Sequence, residues 1–307
     1  MSEGVEIRAC DAAVSDADLM ALSARYCAGA EGVRPPDEKA LAQMRAAQAR
    51  DPAALALAFA AGTPVGVCAV GMPEKGEASL RLLCVIPARR RQGIGRALEA
   101  HAVETARRQG CGEVRTPAVD SRNLAGVAFL EGLGWTPGPD ASIRMWRDLE
   151  DLPPVSLPEG YAIRTYREGD AAHLMRIKNA AFAGERAGSR AWTVEDVRKE
   201  YTDAPQFQPE RVFFAVCGEE PVGTTTAWTW THEGREVGLI HWVAVTPEHR
   251  GRGLGEALNV RALRHMKDMG HREAILNTNA ALQSAVRLYH RLGFRDVWRQ
   301  VAYFKKL

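Results

Sequence analysis

The sequence LIHWVAVTPEHRGRGLGEAL, at residues 239 to 258, predicts a strand, a turn and a helix in that order. Residues 239–245 form a nearly continuous apolar run rich in β-branched and aromatic side chains, which is typical of a buried strand. Pro247 ends this run, and the apolar residues from Leu254 to Met266 then recur at helical spacing.

The turn from Arg250 to Gly255 is rich in glycine and arginine. Glycine lets the backbone approach a ligand closely, and the first N–H groups of a helix have no partners within the helix. The positive end of the helix dipole also favours anions. The turn therefore predicts a cradle for a phosphate group.

The same pattern occurs 160 residues earlier, in LRLLCVIPARRRQGIGRAL at residues 80–98. The motif R-x-x-G-x-G begins at Arg90 in the first copy and at Arg250 in the second. One such turn is weak evidence of function, because it also serves as a structural joint or occurs in other nucleotide-binding folds. Two copies in register predict a duplicated fold.

The length of 307 residues is enough for two domains of about 150 residues, each with its own core. The segment 151–160 contains three prolines and predicts an extended linker. After it, YAIRTY at 161–166 repeats VEIRAC at 5–10. We therefore predict an N-terminal domain at 1–150, a linker at 151–160 and a C-terminal domain at 161–307.

The composition is that of an ordinary globular protein, with 46% hydrophobic and 25% charged residues. A net charge of +2 gives no strong attraction to nucleic acid or membrane, and neither partner is expected. The six cysteines form no C-x-x-C pair, so we expect reduced thiols and no metal site. The amino terminus lacks a secretory signal, which predicts a cytoplasmic protein.

These motifs resemble those of the GCN5-related N-acetyltransferase (GNAT) family, whose signature is an R/Q-x-x-G-x-G/A turn between a central strand and a helix. A second signature of the family, A-x-x-L-Y-x-x-L-G-F, is similar to Ala285–Phe294. The resemblance covers both halves. The tandem arrangement is similar to that of two-domain members, one of which acetylates an amine on the precursor of a thiol cofactor.

The resemblance implies an α/β (α+β) fold of two tandem acyl-CoA N-acyltransferase domains. Each would be a mixed, mainly antiparallel sheet flanked by helices and splayed between its fourth and fifth strands. Acetyl-CoA would lie in this gap, with its pantetheine arm paired to the fourth strand as an added strand and its diphosphate on the cradle.

Cofactor-binding residues follow from the resemblance. In the second half they are Val243, Ala244, Val245, Arg250, Gly251, Arg252, Gly253, Leu254, Gly255, Glu256 and Asn279. In the first half they are Leu83, Cys84, Val85, Arg90, Arg91, Gln92, Gly93, Ile94, Gly95, Arg96 and Asn123. A P-loop would need Lys-Ser or Lys-Thr after the glycines, and a dinucleotide fold would need G-x-G-x-x-G with a following acid. Neither half has either pattern.

Tyr289 occupies the position at which many family members have a tyrosine that protonates the departing thiolate. The first half has Leu130 there, and leucine donates no proton. This difference assigns catalysis to the second half and leaves the first as a degenerate coenzyme-binding domain. A packed aromatic residue on an amphipathic helix is the alternative interpretation of Tyr289.

The general base is harder to assign. Several family members have a glutamate on the fourth strand, where this chain has Leu239. His241, two residues on and on the same strand face, is the best replacement because its ordinary pKa suits proton removal. A structural histidine is equally compatible with the sequence, and Glu233 and Glu236 are alternative bases. The N–H of Val243 or Ala244 would hold the oxyanion.

One position departs from the family pattern. An asparagine usually lies seven residues before the tyrosine, but the second half has Leu282 there, whereas the first half keeps Asn123. We expect Asn279 to substitute from the preceding turn.

We therefore predict an acetyl-CoA-dependent N-acetyltransferase whose C-terminal domain acetylates a primary amine by direct attack. The expected partner is a small-molecule amine, attracted by acidic side chains and bordered by tryptophans. These candidates are Glu185, Glu195, Asp196, Glu200, Trp228 and Trp230. A non-catalytic acyl-CoA-binding or regulatory protein and a protein lysine or N-terminal acetyltransferase remain alternatives. The sequence leaves the acceptor and the oligomeric state open.

Overall fold

The structure is a computed structural model that describes residues 4–11, 13–30, 32–74, 76–183, 190–232 and 234–307. The chain divides into two compact units. Unit 1 comprises Met1–Ser142 and Trp298–Leu307, and unit 2 comprises Ile143–Val297.

Unit 1 contains a sheet with helices on its faces. Its elements in chain order are β1 (Glu6–Ala9), α1 (Asp16–Cys27), α2 (Glu38–Arg50), β2 (Leu55–Ala60), β3 (Thr63–Glu74), β4 (Glu77–Val85), α3 (Ile94–Arg108), β5 (Glu113–Arg115), β6 (Val119–Asp120), α4 (Leu124–Glu131) and the first part of β7 (Thr136–Asp148).

Unit 2 repeats this order after the rest of β7. Its elements are β8 (Tyr161–Thr165), α5 (Ala171–Ala181), α6 (Val194–Val197) with a following π-helical turn (Arg198–Thr202), β9 (Val212–Cys217), β10 (Glu220–His232), β11 (Arg235–Val245), α7 (Leu254–Asp268), β12 (Glu273–Asn279), α8 (Gln283–Arg291) and the start of β13 (Arg295–Lys306).

Both sheets are mixed and mainly antiparallel. In unit 1 the strands follow the order β1-β2-β3-β4-β5, and in unit 2 the order β8-β9-β10-β11-β12. Neighbouring strands run antiparallel except for β4 with β5 and β11 with β12, which are parallel. The predicted fold class is confirmed.

The predicted separation of the fourth and fifth strands occurs in both units, between the two parallel neighbours. Strand β4 pairs with β5 only from Glu77 to Ser79, and β11 pairs with β12 only at Gly238 and Leu239. Beyond these residues the fourth strand of each unit continues to Val85 or Val245. In the described part of the chain, the last six residues of each fourth strand therefore have no strand pairing on the edge that faces the fifth strand.

Each sheet has a hydrophobic cluster on either face. In unit 2, α7 packs on one face against Ile240 and its neighbours, and α5 and α6 cover the other face with Trp228 and Ala244. In unit 1, α3 covers one face and α1 and α2 cover the other. Alternate residues along β11 belong to opposite clusters, as the period of a strand requires.

The unit boundaries differ from the predicted boundaries at 150 and 161. Ile143 and Met145, which alternate along the end of β7, lie in the core of unit 2, and so does Leu149, which follows the strand. At the other end of the chain, residues 304–306 of β13 pair with β5 of unit 1. Unit 2 therefore includes the end of β7, which the predicted boundary assigned to the N-terminal domain. Unit 1 includes the end of β13, which it assigned to the C-terminal domain.

The predicted linker has neither helix nor strand, but it packs as part of unit 2. The Arg264 guanidinium donates to the carbonyls of Leu152 (2.9 Å) and Pro153 (2.8 Å). The segment is therefore held by specific contacts. In the described part of the chain, no helix has the length and apolar character needed to cross a membrane.

Candidate functional site

The turn between β11 and α7 has the geometry of an anion cradle. Gly251 and Gly253 have φ angles of +74° and +80°, which favour glycine. A Cβ at either position would meet nothing within 4 Å, so the space in front of the turn is open. Among the described residues, the N–H groups of residues 251–256 donate to no backbone carbonyl. These groups are donors without backbone partners at a helix N-terminus, where anions are favoured.

Unit 1 has the same turn between β4 and α3, with one difference. Gly93 has a φ of +84°, matching Gly253, but the counterpart of Gly251 is Arg91, with a φ of +63°. A side chain in this left-handed region costs roughly 1–2 kcal/mol. Within the described residues, the N–H groups of residues 91–96 also lack backbone acceptors.

The two signature arginines have a bracing role that differs from the predicted one. The backbone N–H of Arg250 donates to the Pro247 carbonyl and that of Arg90 to the Pro87 carbonyl, so neither is free for a phosphate. The Arg250 side chain donates to the carbonyls of Val245 (3.1 Å) and Ala181 (2.7 Å). Arg90 and Arg250 are therefore not among the backbone N–H donors available to a phosphate.

Helix α8 places Tyr289 beside the cradle helix. Its neighbour Leu288 lies 3.4 Å from the position that a Cβ on Gly255 would occupy, so α8 packs directly on the start of α7. Tyr289 is buried in the α7-face cluster, with its ring edge-on to Phe294 at 5.9 Å. Burial raises the pKa of the phenol to about 12, so it remains protonated at neutral pH.

A β-bulge interrupts β11 next to its unpaired edge. Thr224 pairs with Ala244 and Thr226 with His241, which leaves Trp242 and Val243 opposite a single residue. Trp242 has a φ of +51°, a conformation uncommon outside glycine. Because of this bulge, His241 and Trp242 both reach Glu200 on the α5 side of the sheet.

Glu200, from the π-helical turn, is the partner of His241. Its Oε1 lies 3.2 Å from His241 Nε2 and accepts a hydrogen bond of 3.2 Å from the Trp242 indole N–H. These hydrogen bonds, with that of His241 the largest influence, lower the pKa of Glu200 to about 2. An ionised carboxylate only accepts hydrogen bonds, so His241 donates through Nε2 and keeps Nδ1 as a free base.

The imidazole of His241 is held by an aromatic ring as well as by Glu200. It stacks on the Trp228 indole, with ring centroids 4.1 Å apart and planes 16° from parallel. Burial lowers the pKa of His241 below its ordinary value, against the raising effect of Glu200. The imidazole is therefore neutral at pH 7, as a general base must be.

Lys178 adds a buried amine to the same cluster. Its side chain is 1% exposed, and its Nζ lies 3.2 Å from the centroid of the Trp192 ring and 3.4 Å from that of Trp242. Within the described part of the chain, the amine has no hydrogen-bond acceptor. Desolvation lowers the pKa of Lys178 to about 7. Lys178 was not among the predicted site residues, because no motif marks its position on α5.

The structure does not bring Tyr289 and His241 into one cluster. Tyr289 packs on the α7 side of the sheet, whereas His241 contacts Trp228 and Tyr201 on the α5 side. The unpaired edge of β11 lies between these two faces.

Among the described residues of unit 1, no histidine lies at the bulge of β4. Arg81 is the counterpart of His241, and its Nη1 donates to Gln43 Oε1 at 2.6 Å. A cavity of about 270 Å³ opens beside Arg81 and Leu82. An arginine remains protonated at any physiological pH, so Arg81 cannot accept the proton that its counterpart His241 could accept.

The asparagines also differ between the units. Asn123 caps α4 by accepting from the Gly126 N–H at 3.0 Å. In unit 2, Leu282 is the N-cap of α8 and makes no side-chain cap, while Asn279 accepts from the Ala281 N–H at 2.8 Å in the preceding turn. Asn279 therefore organises the turn before α8 but does not replace the helix cap.

The predicted acceptor residues separate into different environments. Trp228 is buried against His241, whereas Trp230 is 49% exposed. Asp196 completes a capping box with Thr193 at the start of α6 and pairs with Arg190, and Glu195 pairs with Lys199. The acceptor candidate Glu185 and the alternative base Glu233 lie outside the described residues. Glu236 is exposed.

Comparison with known proteins identifies relatives of both halves. Residues 18–135 and 180–294 each match the Acetyltransferase (GNAT) family. The chain is 33% identical over 268 residues to the mycothiol acetyltransferase of Thermomonospora curvata, which covers 86% of this chain and 85% of that protein. It is 32% identical over 304 residues to the mycothiol acetyltransferase of Thermobispora bispora, covering 96% of each.

Solved structures share the tandem fold. A GCN5-related N-acetyltransferase from Sphaerobacter thermophilus superposes with a TM-score of 0.64 at 24% identity, covering 98% of this chain and 95% of that chain. A tandem GNAT protein from the clavulanic acid biosynthesis pathway gives a TM-score of 0.61 at 21% identity, covering 99% and 98%. At these identities the likeness establishes the fold.

Proposed function

The chain belongs to the GNAT family of acetyltransferases, and from that premise we propose that its unit 2 transfers an acetyl group from acetyl-CoA to a small primary amine. The family, the tandem form and the enzyme class predicted from the sequence are confirmed. Which unit is catalytic, which residues act and which amine is the acceptor are our proposals.

The residues around the splay of unit 2 fit the coenzyme. Unpaired N–H groups of residues 251–256 suit a diphosphate, and the free edge of β11 at residues 243–245 suits the amide groups of a pantetheine arm. When bound, acetyl-CoA supplies an activated acyl group as a thioester. In unit 1, residues 91–96 and 83–85 offer the same two surfaces.

His241 is the proposed general base. A primary ammonium has a pKa of about 10.4, so at neutral pH a proton must be removed before the nitrogen can attack. His241 Nδ1 accepts that proton, directly or through one water, because Nε2 is held by Glu200. The Glu200 carboxylate then stabilises the imidazolium that results. Glu200 is thus a positioning residue that fixes the tautomer of the base.

The N–H of Val243 or Ala244 stabilises the negative charge that develops on the carbonyl oxygen during attack. Tyr289 is the proposed general acid. Because burial raises the pKa of its phenol to about 12, Tyr289 stays protonated and remains a donor throughout the physiological range. Its contribution is modest, since the thiolate of a thiol with a pKa of about 8.5 is already a competent leaving group.

The contact that carries this proposal is the Glu200–His241 hydrogen bond beside the unpaired edge of β11. It gives unit 2 a neutral, oriented base, a group that a coenzyme-binding domain without turnover would not need. This favours an enzyme over a regulatory coenzyme-binding protein.

The acceptor is tested by measuring thiol release from acetyl-CoA with a panel of amines, amino sugars and peptides. The panel includes the amine precursor of mycothiol, because the relatives are named mycothiol acetyltransferases. We expect turnover with a small amine and a loss of about 10- to 100-fold in Tyr289→Phe.

Leu130→Phe is the matched control in unit 1, and we expect it to retain the wild-type rate. Unchanged turnover in Tyr289→Phe would remove Tyr289 from the mechanism. Tight coenzyme binding without turnover against any amine would support the regulatory alternative, and turnover with peptides only would favour a protein acetyltransferase.

A further inference from the structure

Unit 1 holds a pair of cysteines in contact, which the proposed reaction does not use. Cys27 is the last residue of α1, and Cys84 lies on β4 one residue before its end. Their Sγ atoms are 3.2 Å apart, and both side chains are buried in the cluster that joins α1 and α2 to the sheet. The pair is reduced in this structure.

The side chain of Arg90, from the unit 1 turn, binds the backbone next to both cysteines. Arg90 Nη2 donates to the carbonyls of Tyr26 (3.1 Å) and Ala28 (2.6 Å), which flank Cys27. Arg90 Nε donates to the carbonyl of Val85, next to Cys84, at 3.0 Å. One guanidinium thus joins the same two segments that the two thiols join.

Unit 2 has the equivalent brace without the thiols. Arg250 donates to the carbonyls of Val245 and Ala181, the last residue of α5. Ala244 stands where unit 1 has Cys84, and Phe182 follows α5. A cradle of this design therefore forms without any sulfur, and the thiol pair needs a separate explanation.

We propose that Cys27 and Cys84 are a redox modification site, at which a hydroperoxide converts the two thiols to a disulfide that ties α1 to the coenzyme-binding strand of unit 1. The Cys27 sulfur attacks the peroxide oxygen and becomes a sulfenic acid, releasing an alcohol, or water from hydrogen peroxide. The Cys84 sulfur then attacks the sulfenic sulfur, and water leaves with the remaining proton. Two electrons pass from the sulfurs to the O–O bond.

The surroundings select the attacking sulfur. The hydrogen bond from Cys84, with the nearby Arg90 guanidinium, lowers the pKa of Cys27, whereas the same contact and burial raise the pKa of Cys84. A thiolate is the reactive form, so Cys27 reacts first and Cys84 resolves the product. Closing the gap from 3.2 Å to a bond of about 2.05 Å requires an approach of roughly 1 Å.

The test treats the folded full-length chain with hydrogen peroxide, alkylates free thiols and maps tryptic peptides without reduction. We expect the titre to fall by two thiols, a peptide pair joined through Cys27 and Cys84, and recovery of both thiols with dithiothreitol. Cys27→Ser abolishes the cross-link. Cys10→Ser, which removes another buried thiol from the same cluster, retains it.

Recovery of Cys27 and Cys84 as separate thiols or sulfinic acids, or a cross-link to another cysteine, would overturn the assignment. Hydrogen exchange gives a second readout, because a covalent tie slows exchange of the amides at the ends of α1 and β4 only in the oxidised chain. Equal exchange in both forms would show that no tie had formed. Neither readout requires coenzyme, so both are independent of acetyl transfer.

Discussion

The fourth strands of the two units, β4 and β11, have the same pairing and the same exit into a glycine hinge, but they present different chemistry. At the bulge, β11 places His241 and Trp242 against Glu200, whereas β4 has Arg81 and Leu82. The glycine-rich turn requires only a particular backbone conformation, which a short motif specifies. The base needs a carboxylate from a separate element, which the motif does not contain.

Each unit also keeps a feature that the other lacks. Unit 1 has the capping Asn123 and a strained Arg91 in its cradle, while unit 2 has an uncapped α8 and the unstrained Gly251. The thiol pair lies in unit 1, and the candidate acid Tyr289 lies in unit 2. The two copies have thus separated into a cradle with a redox-sensitive brace and a cradle with an oriented base.

The largest effect is expected from closing the cradle of unit 2 with Gly253→Val. A β-branched side chain is disfavoured at a φ of +80°, so the turn must rearrange and its N–H groups lose their convergence. Each hydrogen bond to a charged group contributes roughly 1.5–3 kcal/mol, so losing two lowers kcat/KM about 10³-fold. Steady-state kinetics with the identified amine measure this change.

The matched variant Gly93→Val makes the same change in unit 1, where the φ is +84°. We expect it to lower the coenzyme stoichiometry measured by calorimetry from two to one, with less than a tenfold loss in rate. Equal losses of rate in the two variants would show that both units support turnover, and would end the distinction drawn between them.

A smaller effect, of about 10²-fold in kcat/KM, is expected for His241→Gln, which removes the base but keeps a donor for Glu200. Glu200→Gln retains the base and costs about tenfold. Because the Glu200 carboxylate raises the pKa of His241, its removal lowers that pKa further. The acid limb of the pH–rate profile, where His241 becomes protonated, then moves to lower pH.

Arg81→Gln is the matched control at the bulge of unit 1 and is expected to leave the pH–rate profile unchanged. An acid limb that stays in place in Glu200→Gln would contradict the assignment of that limb to His241. A wild-type rate in His241→Gln would indicate that another group removes the proton.

The smallest effect on rate is expected for Lys178→Met, but it changes the pH dependence of stability. Burial lowers the pKa of Lys178 from 10.5 to about 7. Between these values the unfolded chain holds a proton that the folded chain has released, so the free energy of unfolding rises with pH. Methionine removes this rise and increases stability at pH 7, by on the order of 1 kcal/mol or more.

Urea unfolding between pH 6 and 10.5 measures the change. Lys199→Met is the control, because Lys199 is 70% exposed and pairs with Glu195 on the surface. We expect its unfolding curve to follow that of the wild type. A pH dependence that persists in Lys178→Met would show that other groups produce it.

Much of the fold was predictable from residues close together in the chain. The repeated hinges, the α/β order and the splay followed from the strand–glycine–helix pattern and the family it resembles. The candidate site was predictable in part: the N–H groups of residues 251–256 lack backbone acceptors, as a helix start requires, but the bracing role of Arg250 was not foreseen. An R-x-x-G-x-G motif does not reveal which way a side chain turns.

The domain boundary shows the limit of linear inference. We predicted a break at the prolines Pro153, Pro154 and Pro158. The division between the units lies earlier in the chain, within β7, and the end of the last strand belongs to unit 1. A fragment beginning at residue 151 would lack Ile143, Met145 and Leu149 from the core of unit 2. Strand membership depends on which edge a segment pairs with, and local composition does not encode that.

The sequence alone determined the two glycine-rich turns before α3 and α7, because left-handed glycines, a preceding proline and the start of a helix are properties of a few consecutive residues. Only the tertiary structure decided that Glu200 orients His241, that Lys178 lies between two indoles and that Cys27 meets Cys84. These contacts join residues far apart in the chain, and they exist because the helices on one face of each sheet pack onto its fourth strand.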